Sequence, residues 1–268
     1  MEKKIGFIGC GKMAQAMIAG MIRSNVVQPS SIVITSKTAE TREKAAREYG
    51  IKPFEQNIEA AKKASILFLA VAPNLHTEVI DEIKDFIQEG DIIVTIAAGI
   101  TTEKIEKMFG RSVKVVRTMP NTPSLAGAGM SAMCTNDQVT EREAEEIKRL
   151  FQTFGEVEVI PESLMDAIPS ISGSSPAYVY MMIEAMADGG VKQGLKRDQA
   201  YKLAAQAVLG AAKMVLDTGL HPGVLKDQVC SPGGATIAAV STLEKEQFRG
   251  AIISAMESCT DKVKELGK

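Results

Sequence analysis

The chain has 268 residues, 45% of them hydrophobic, with a formal net charge of −2 and a pI near 5.9. That length accommodates one large domain or two modest ones, and the balanced charge leaves no basic footprint for nucleic acid or an anionic membrane surface. The longest apolar run, residues 66–73, falls far short of the roughly 20 residues a membrane span needs. The opening MEKKIGFIGC does not read as a signal peptide. Four scattered cysteines and two histidines give neither a zinc cluster nor a disulfide framework, so a cytoplasmic protein with reduced thiols and no metal is expected.

From Lys4 the chain alternates short apolar runs with helical stretches. KIGFIG predicts a strand, and KMAQAMIAGMIRS a helix with Met13, Ala16, Met17 and Met21 on one face. SIVITS predicts a second strand, followed by the charged helix TAETREKAAREYG, which Gly50 closes. ASILFLAVAP, DIIVTIAAG and VKVVRTMP predict further strands, with helices over NLHTEVIDEIKDFIQEG and ITTEKIEKMFG. Residues 66–71 and 92–96 are apolar at nearly every position, the pattern of strands buried on both faces of a parallel sheet. Right-handed βαβ units follow, and with them an α/β, Rossmann-type doubly wound sheet.

The first turn carries Gly9-x-Gly11-x-x-Ala14 between the first strand and the first helix. Alone the pattern is weak; at that position it predicts dinucleotide binding. Gly9 permits the tight turn, Gly11 lets a pyrophosphate approach the backbone, and Ala14 lets the helix pack closely. The second strand ends in Thr35, Ser36 and Lys37, with no acid until Glu40. A carboxylate there would receive a ribose 2′-hydroxyl; a hydroxyl and a cation instead suit a 2′-phosphate, so NADPH is expected over NADH.

SAMCTNDQVTEREAEEIKRLFQTFGEVEVI still reads strand, helix with a capping box at Thr140 and Glu143, strand. From Pro161 the pattern is helical: SSPAYVYMMIEAMADGGVKQG, RDQAYKLAAQAVLGAAKMVLDTG, HPGVLKDQV, the stretch after GGAT, and FRGAIISAMESCTDKVKELGK. Two domains are expected, residues 1–160 for the dinucleotide and residues 161–268 as an all-α half. Met181, Met182 and Met186 read as packing, and helices apolar on nearly all faces predict a second copy of the chain to cover them.

His76 and His221 both read as structural. The layout resembles the β-hydroxyacid dehydrogenases, which place a lysine on the first long helix of the second domain, but ISGSSPAYVYMMIEAM contains none. Alcohol oxidation needs a base of that kind. Reduction of a protonated imine does not, because the carbon already accepts hydride and the nitrogen carries its own proton.

SISGSSPAYVYMMIEAMADGGVKQGL, HPGVLKDQVCSPGGATIAAVSTLE and RTMPNTP, with FIGCGKMA and LAVAP, resemble the pyrroline-5-carboxylate reductase family. The likeness runs over residues 4–264, and D-x-V-x-S-P-G-G-A-T is its most specific part. The resemblance implies hydride transfer from NADPH, or more weakly NADH, to the C=N bond of 1-pyrroline-5-carboxylate, giving L-proline, in a homo-oligomer built on an all-α C-terminal dimerisation domain.

It further implies a substrate carboxylate received at Gly233, Gly234, Ala235 and Thr236, glycine being tolerated because side chains would block the approach. Ser231 and Thr236 are the expected catalytic hydroxyls, and Glu162 and Gln228 further substrate contacts. An ordinary helix start, Ser231 capping with Pro232 next, is the competing reading of Ser-Pro. For the cofactor the resemblance implies Gly9, Gly11, Lys12 and Met13 at the pyrophosphate and Ser36 and Lys37 at the 2′-phosphate. Asn57 falls at the adenosine half, Ala70, Ala97 and Ala98 along the ribose and nicotinamide path, and Asn121 at its end. The chain departs at Ala72, where many relatives have lysine, at Pro169, where threonine is common, and at Gln228, where asparagine is common. A hydroxyl lost at Pro169 leaves Ser170 or Ser172 to supply it. A non-catalytic NADP(H) sensor and a related imine reductase or β-hydroxyacid dehydrogenase are the alternatives.

Overall fold

The computed structural model describes residues 4–266; the ends of both expected domains, residues 1–3 and 267–268, lie outside them. The first half is β1 Ile5–Ile8, α1 Lys12–Arg23, β2 Ile32–Thr35, α2 Ala39–Tyr49, β3 Lys52–Phe54, α3 Asn57–Ala61, β4 Ile66–Leu69, α4 His76–Ile83, β5 Ile92–Thr95, α5 Thr102–Phe109, β6 Lys114–Met119, β7 Gly129–Thr135, α6 Glu141–Phe151 and β8 Gly155–Val159. The strands form one sheet in the order β3-β2-β1-β4-β5-β6-β7-β8. It is parallel from β3 through β6; β7 runs antiparallel to β6, and β8 parallel to β7. The doubly wound sheet is as expected. Sequence pattern did not reveal β3 and α3, a three-residue strand and a five-residue helix too short to show a period.

Every position of β1, β2, β4 and β5 is buried. Alternate residues feed two cores: Ile66, Phe68, Ile92 and Val94 meet α1 and α6 on one face, while Leu67, Leu69 and Ile93 meet α4 and α5 on the other. Phe7 and Phe68 stack at 4.5 Å across neighbouring strands. Burying both faces removes each strand's freedom to slip by one residue, since a slip would exchange two packed cores. The helix expected over NLHTEVIDEIKDFIQEG is shorter: α4 ends at Ile83, and a tighter turn then sets Ile87 in extended backbone, which places its side chain, 4% exposed, in the core.

After β8 the backbone makes a 3₁₀ segment, Glu162–Ala167, and a wide π-turn, Pro169–Gly173. The rest is α7 Ser175–Lys192, α8 Arg197–Thr218, α9 Pro222–Gln228, α10 Ala235–Lys245 and α11 Phe248–Leu266. The chain divides into two compact units, one running to Ser174 and resuming at Cys259, the other Ser175–Ser258. In the second unit α7 and α8 pack together, and the buried residues among those described are Ala187, Ala200 and Ala204. Met181, Leu203, Leu209, Leu216 and Ile253 remain exposed. No helix among the described residues is long and apolar enough to cross a membrane.

Candidate functional site

Since β1 to β6 run parallel, the residues following them gather on the carboxyl edge of the sheet, on either side of the β1/β4 switch point where open α/β sheets bind ligands. Gly9 has φ +95, and a Cβ there would lie 2.5 Å from the Ala70 carbonyl oxygen. Glycine alone fits both the conformation and the clearance. Gly11 is the N-cap of α1, in extended backbone and without a side-chain cap; a Cβ on it would meet nothing within 4 Å. The first intrahelical bond is Gln15 N–H to the Gly11 carbonyl at 3.0 Å, so the amides of Lys12, Met13 and Ala14 precede the ladder. An open approach, uncapped donors and the positive end of a twelve-residue helix fit a diphosphate.

At the end of β2, Ser36 is half-buried and Lys37 exposed. Thr35 Oγ1 donates to Asn57 Oδ1 at 2.7 Å, and Asn57 Nδ2 donates to Glu82 at 2.7 Å, so Asn57 is fixed beside the same loop. Sequence reading missed Arg42. It lies one turn into α2, and helical side chains lean toward the N-terminus, so its guanidinium reaches back to the Ser36 carbonyl at 2.8 Å and pairs with Glu55 at 3.2 Å. The capping of α2 by Thr38 placed four residues before it was the available signal. The residues that follow β2, Ser36, Lys37 and Thr38, include no carboxylate.

Ala70 follows β4, and Ala97 and Ala98 follow β5. Asn121, 7% exposed, donates to the Ser172 carbonyl at 2.9 Å and accepts from Met130 N–H at 2.9 Å. The Ala72 carbonyl accepts from Leu75 N–H at 3.0 Å. Ser170 and Ser172 donate to the Ala167 and Ile168 carbonyls of their own turn, at 2.7 and 3.4 Å.

Glu162 belongs to the first unit. One carboxylate oxygen accepts from Thr102 N–H at 2.8 Å, the other from Thr102 Oγ1 at 2.7 Å, and Arg117 stands 3.4 Å away. Arg117, 3% exposed, also pairs with Asp166 at 2.6 Å, so this buried cation pins the 3₁₀ segment to β6, as Thr102 pins it to α5. Cys134 lies opposite Arg117 on β7. Burial and the Glu162 charge, opposed by Arg117, push its thiol up to about 12; burial and Glu48 push Cys10 to about 11. Neither thiol is a nucleophile near neutral pH.

In the second unit, residues 231–234 make a tight turn closed by Gly234 N–H to the Ser231 carbonyl at 3.0 Å. Pro232 takes its second position and Gly233, φ +70, its third, the pattern of a type II turn, which requires a left-handed third residue. A Cβ on Gly234 would collide with the Ser231 hydroxyl. Gly234, and not Ser231, is the N-cap of α10, and no side chain caps it. Each glycine therefore has a reason of its own, a turn conformation at 233 and clearance for a hydroxyl at 234. What remains is a helix start with free amides at Ala235 and Thr236, the Ser231 hydroxyl beside it, and Thr236 exposed at the second helical position. Gln228 is exposed at the end of α9. The second unit thus brings Ser231, Gly233, Gly234, Ala235 and Thr236 together at one helix start.

Residues 162–266 match the family model described as pyrroline-5-carboxylate reductase dimerisation, and residues 4–99 the model described as NADP oxidoreductase, coenzyme F420-dependent. A pyrroline-5-carboxylate reductase of Escherichia coli (strain K12) is 47% identical over 268 residues, covering 100% of both chains. A crystal structure of Plasmodium falciparum pyrroline carboxylate reductase with NADP bound has a TM-score of 0.89 at 32% identity, covering 100% of this chain and 99% of that one. The structure of a pyrroline-5-carboxylate reductase from Coxiella burnetii has a TM-score of 0.93 at 32% identity, covering 100% of both.

Proposed function

The chain belongs to the pyrroline-5-carboxylate reductase family, and on that premise we propose that it reduces 1-pyrroline-5-carboxylate to L-proline with NADPH, NADH serving more weakly. NADPH, when bound, supplies the hydride. By function we divide the chain into residues 1–160, which bind the dinucleotide, and residues 161–268, which bind substrate and pair with another copy, although residues 161–174 and the end of α11 cluster with the first compact unit. Gly9, Gly11, Lys12 and Met13 receive the pyrophosphate at the start of α1. Ser36 and Lys37 meet the 2′-phosphate, their loop steadied by Arg42 and Asn57. Ala70, Ala97, Ala98 and Asn121 line the remaining path.

The single observation that carries the substrate assignment is the uncapped start of α10 after a closed turn. Backbone amides of Ala235 and Thr236, with the Ser231 hydroxyl, hold the carboxylate without a formal positive charge, as helix starts hold other anions. Gln228 adds a polar contact; the family resemblance adds Glu162 as a further substrate contact, its carboxylate held within the first unit by Thr102 and Arg117. Thr236 Oγ1 meets the ring nitrogen. As hydride arrives at carbon, the two π electrons of the C=N bond become the nitrogen lone pair. Nitrogen keeps the proton it brought, so no base is required, and the Thr236 hydroxyl donates to the lone pair as it forms.

Oligomerisation has its own support. A unit whose buried residues, among those described, are three alanines, with Leu203, Leu209 and Leu216 exposed, leaves apolar surface that a second copy covers. Light scattering at micromolar concentration is expected to give at least twice the 28.7 kDa chain mass; a monomer would refute this.

The activity test compares NADPH oxidation on three imines under one condition. 1-Pyrroline-5-carboxylate is expected to turn over, while 1-pyrroline, which lacks the carboxylate, is expected to be about a hundredfold poorer in kcat/KM. Equal rates would point to a general imine reductase with no use for the α10 start. No oxidation with any imine, including a bulky hydrophobic one, would leave a nucleotide sensor.

A further inference from the structure

We propose that His76 is a positioning residue for the cofactor edge, held as its Nδ1–H tautomer and coupling the loop after β4 to the loop after β5 through the Thr95 hydroxyl. Its consequence for NADPH rests on the reductase reading; its geometry does not.

Donor counting assigns every proton in the chain of contacts. His76 Nδ1 lies 3.2 Å from the Ala72 carbonyl oxygen, which only accepts, so Nδ1 carries the proton. A neutral ring then turns a bare Nε2 toward Thr95 Oγ1 at 3.1 Å, and the threonine hydroxyl must donate to it. That same oxygen accepts from Ala97 N–H at 3.3 Å. The Thr95 carbonyl in turn accepts from Thr118 Oγ1 at 3.0 Å, which ties β6 into the array. The protons therefore run in one direction: Ala97 N–H to Thr95 O–H to His76, and His76 Nδ1–H to Ala72.

The opposite tautomer sets two bare acceptors, Nδ1 and the Ala72 oxygen, against each other. A doubly protonated ring buries a charge, and burial lowers the His76 pKa below the ordinary 6.5 against the opposing pull of the Ala72 and Pro73 carbonyls. His76 and Thr95 are both 0% exposed, so solvent offers no alternative partner and one arrangement satisfies all groups. Such burial also keeps His76 from touching a substrate. What it holds is backbone: Ala72 in one loop and Ala97 in the other, on the path proposed for the ribose and nicotinamide. The chain at Ala97 is therefore set before cofactor arrives, and removing the Thr95 hydroxyl leaves Nε2 and a buried amide unpaired.

The tautomer can be read directly, because the chain has two histidines and the other supplies an internal control. His221 Nδ1 accepts from Gly223 N–H at 3.0 Å, which puts its proton on Nε2. A long-range ¹H–¹⁵N spectrum of the full-length labelled protein at about pH 8, above the ordinary histidine range, is expected to show one ring of each tautomer, with His76 as the Nδ1–H form. Thr95→Val is expected to weaken NADPH and NADH alike, about tenfold by fluorescence titration, and Thr95→Ser to restore both. An Nε2–H signal at His76 overturns the proposal, as does a Thr95→Val protein that binds both cofactors like the parent, or a Thr95→Ser protein that does not recover. A Thr95→Val chain that fails to fold leaves the parent spectrum to decide. If the parent binds no NADPH, the reductase reading fails, and the same spectrum still accepts or rejects the relay.

Discussion

Replacing Thr236 by alanine is expected to lower turnover about a hundredfold while the NADPH dissociation constant stays within about twofold of the parent. The two quantities separate because Thr236 stands in the second unit at the second position of α10, whereas the proposed diphosphate contacts lie at the start of α1. Folding is not expected to confuse the result. Gly234 is the N-cap, so the substitution removes no cap, and alanine is the better helix former. The hydroxyl is exposed, so its loss opens no cavity. What disappears is a donor that strengthens as the nitrogen lone pair forms, an interaction worth more in the transition state than in the bound imine, so kcat falls more than KM rises. Thr236→Ser returns the hydroxyl and is expected to recover most of the rate. Single-turnover reduction followed at the NADPH absorbance, beside a fluorescence titration, measures both. Equal losses in the two would place Thr236 on the cofactor or on the fold, and a failed serine rescue would remove the hydroxyl from the chemistry.

Local signals were legible where the backbone itself imposes the residue type. Gly9 read correctly as the residue of a tight turn because the passage past Ala70 excludes any Cβ, whereas Gly11 stands in open space at the start of α1. Residues 66–71 and 92–96 read as strands buried on both faces, and β4 and β5 form within them because two cores claim alternate positions. The Ser-Pro-Gly-Gly stretch was legible as a helix start but not in its detail: Ser231 opens a turn, Gly233 satisfies its left-handed position, and the cap falls on Gly234. A Pro-Gly pair carries that turn signal, yet Ser-Pro equally suits a cap and first helical residue, and only the register separates them. Other features had no sequence signature. Glu162 meets Thr102 across 60 residues and Arg117 across 45; His76 meets Thr95 across 19. Partners that distant are chosen by the order of strands in the sheet, which composition and period do not encode. Arg42 lies between these cases, near enough to Ser36 to be found once α2 is capped at Thr38, but of ordinary appearance on a helix already rich in charge.

Changing Ser36 and Lys37 together to alanine is expected to weaken NADPH about thirtyfold and NADH by less than about twofold. The asymmetry follows from what the second strand lacks. With Thr35 buried at its end and Ser36 and Lys37 next, no carboxylate receives a ribose 2′-hydroxyl, so NADH has little to lose there. NADPH loses a hydroxyl donor and a cation facing a phosphate, a charge-assisted contact stronger than a neutral one. Lys37 is exposed, so solvent screens its share, and the effect stays below that of two buried contacts. The same screening predicts that the parent binds NADPH less tightly as salt rises from about 0.05 to 0.5 M, since the Debye length shrinks over that range, and that the double variant loses most of this dependence. Arg42 must be left intact, because it holds the Ser36 carbonyl and pairs with Glu55; removing it would release the loop and blur the comparison. Competitive titrations of both cofactors against both proteins at the two salt concentrations give the dissociation constants required. Should the two cofactors weaken together, the loop after β2 supports the adenosine in general, and the 2′-phosphate must be recognised by groups other than Ser36 and Lys37.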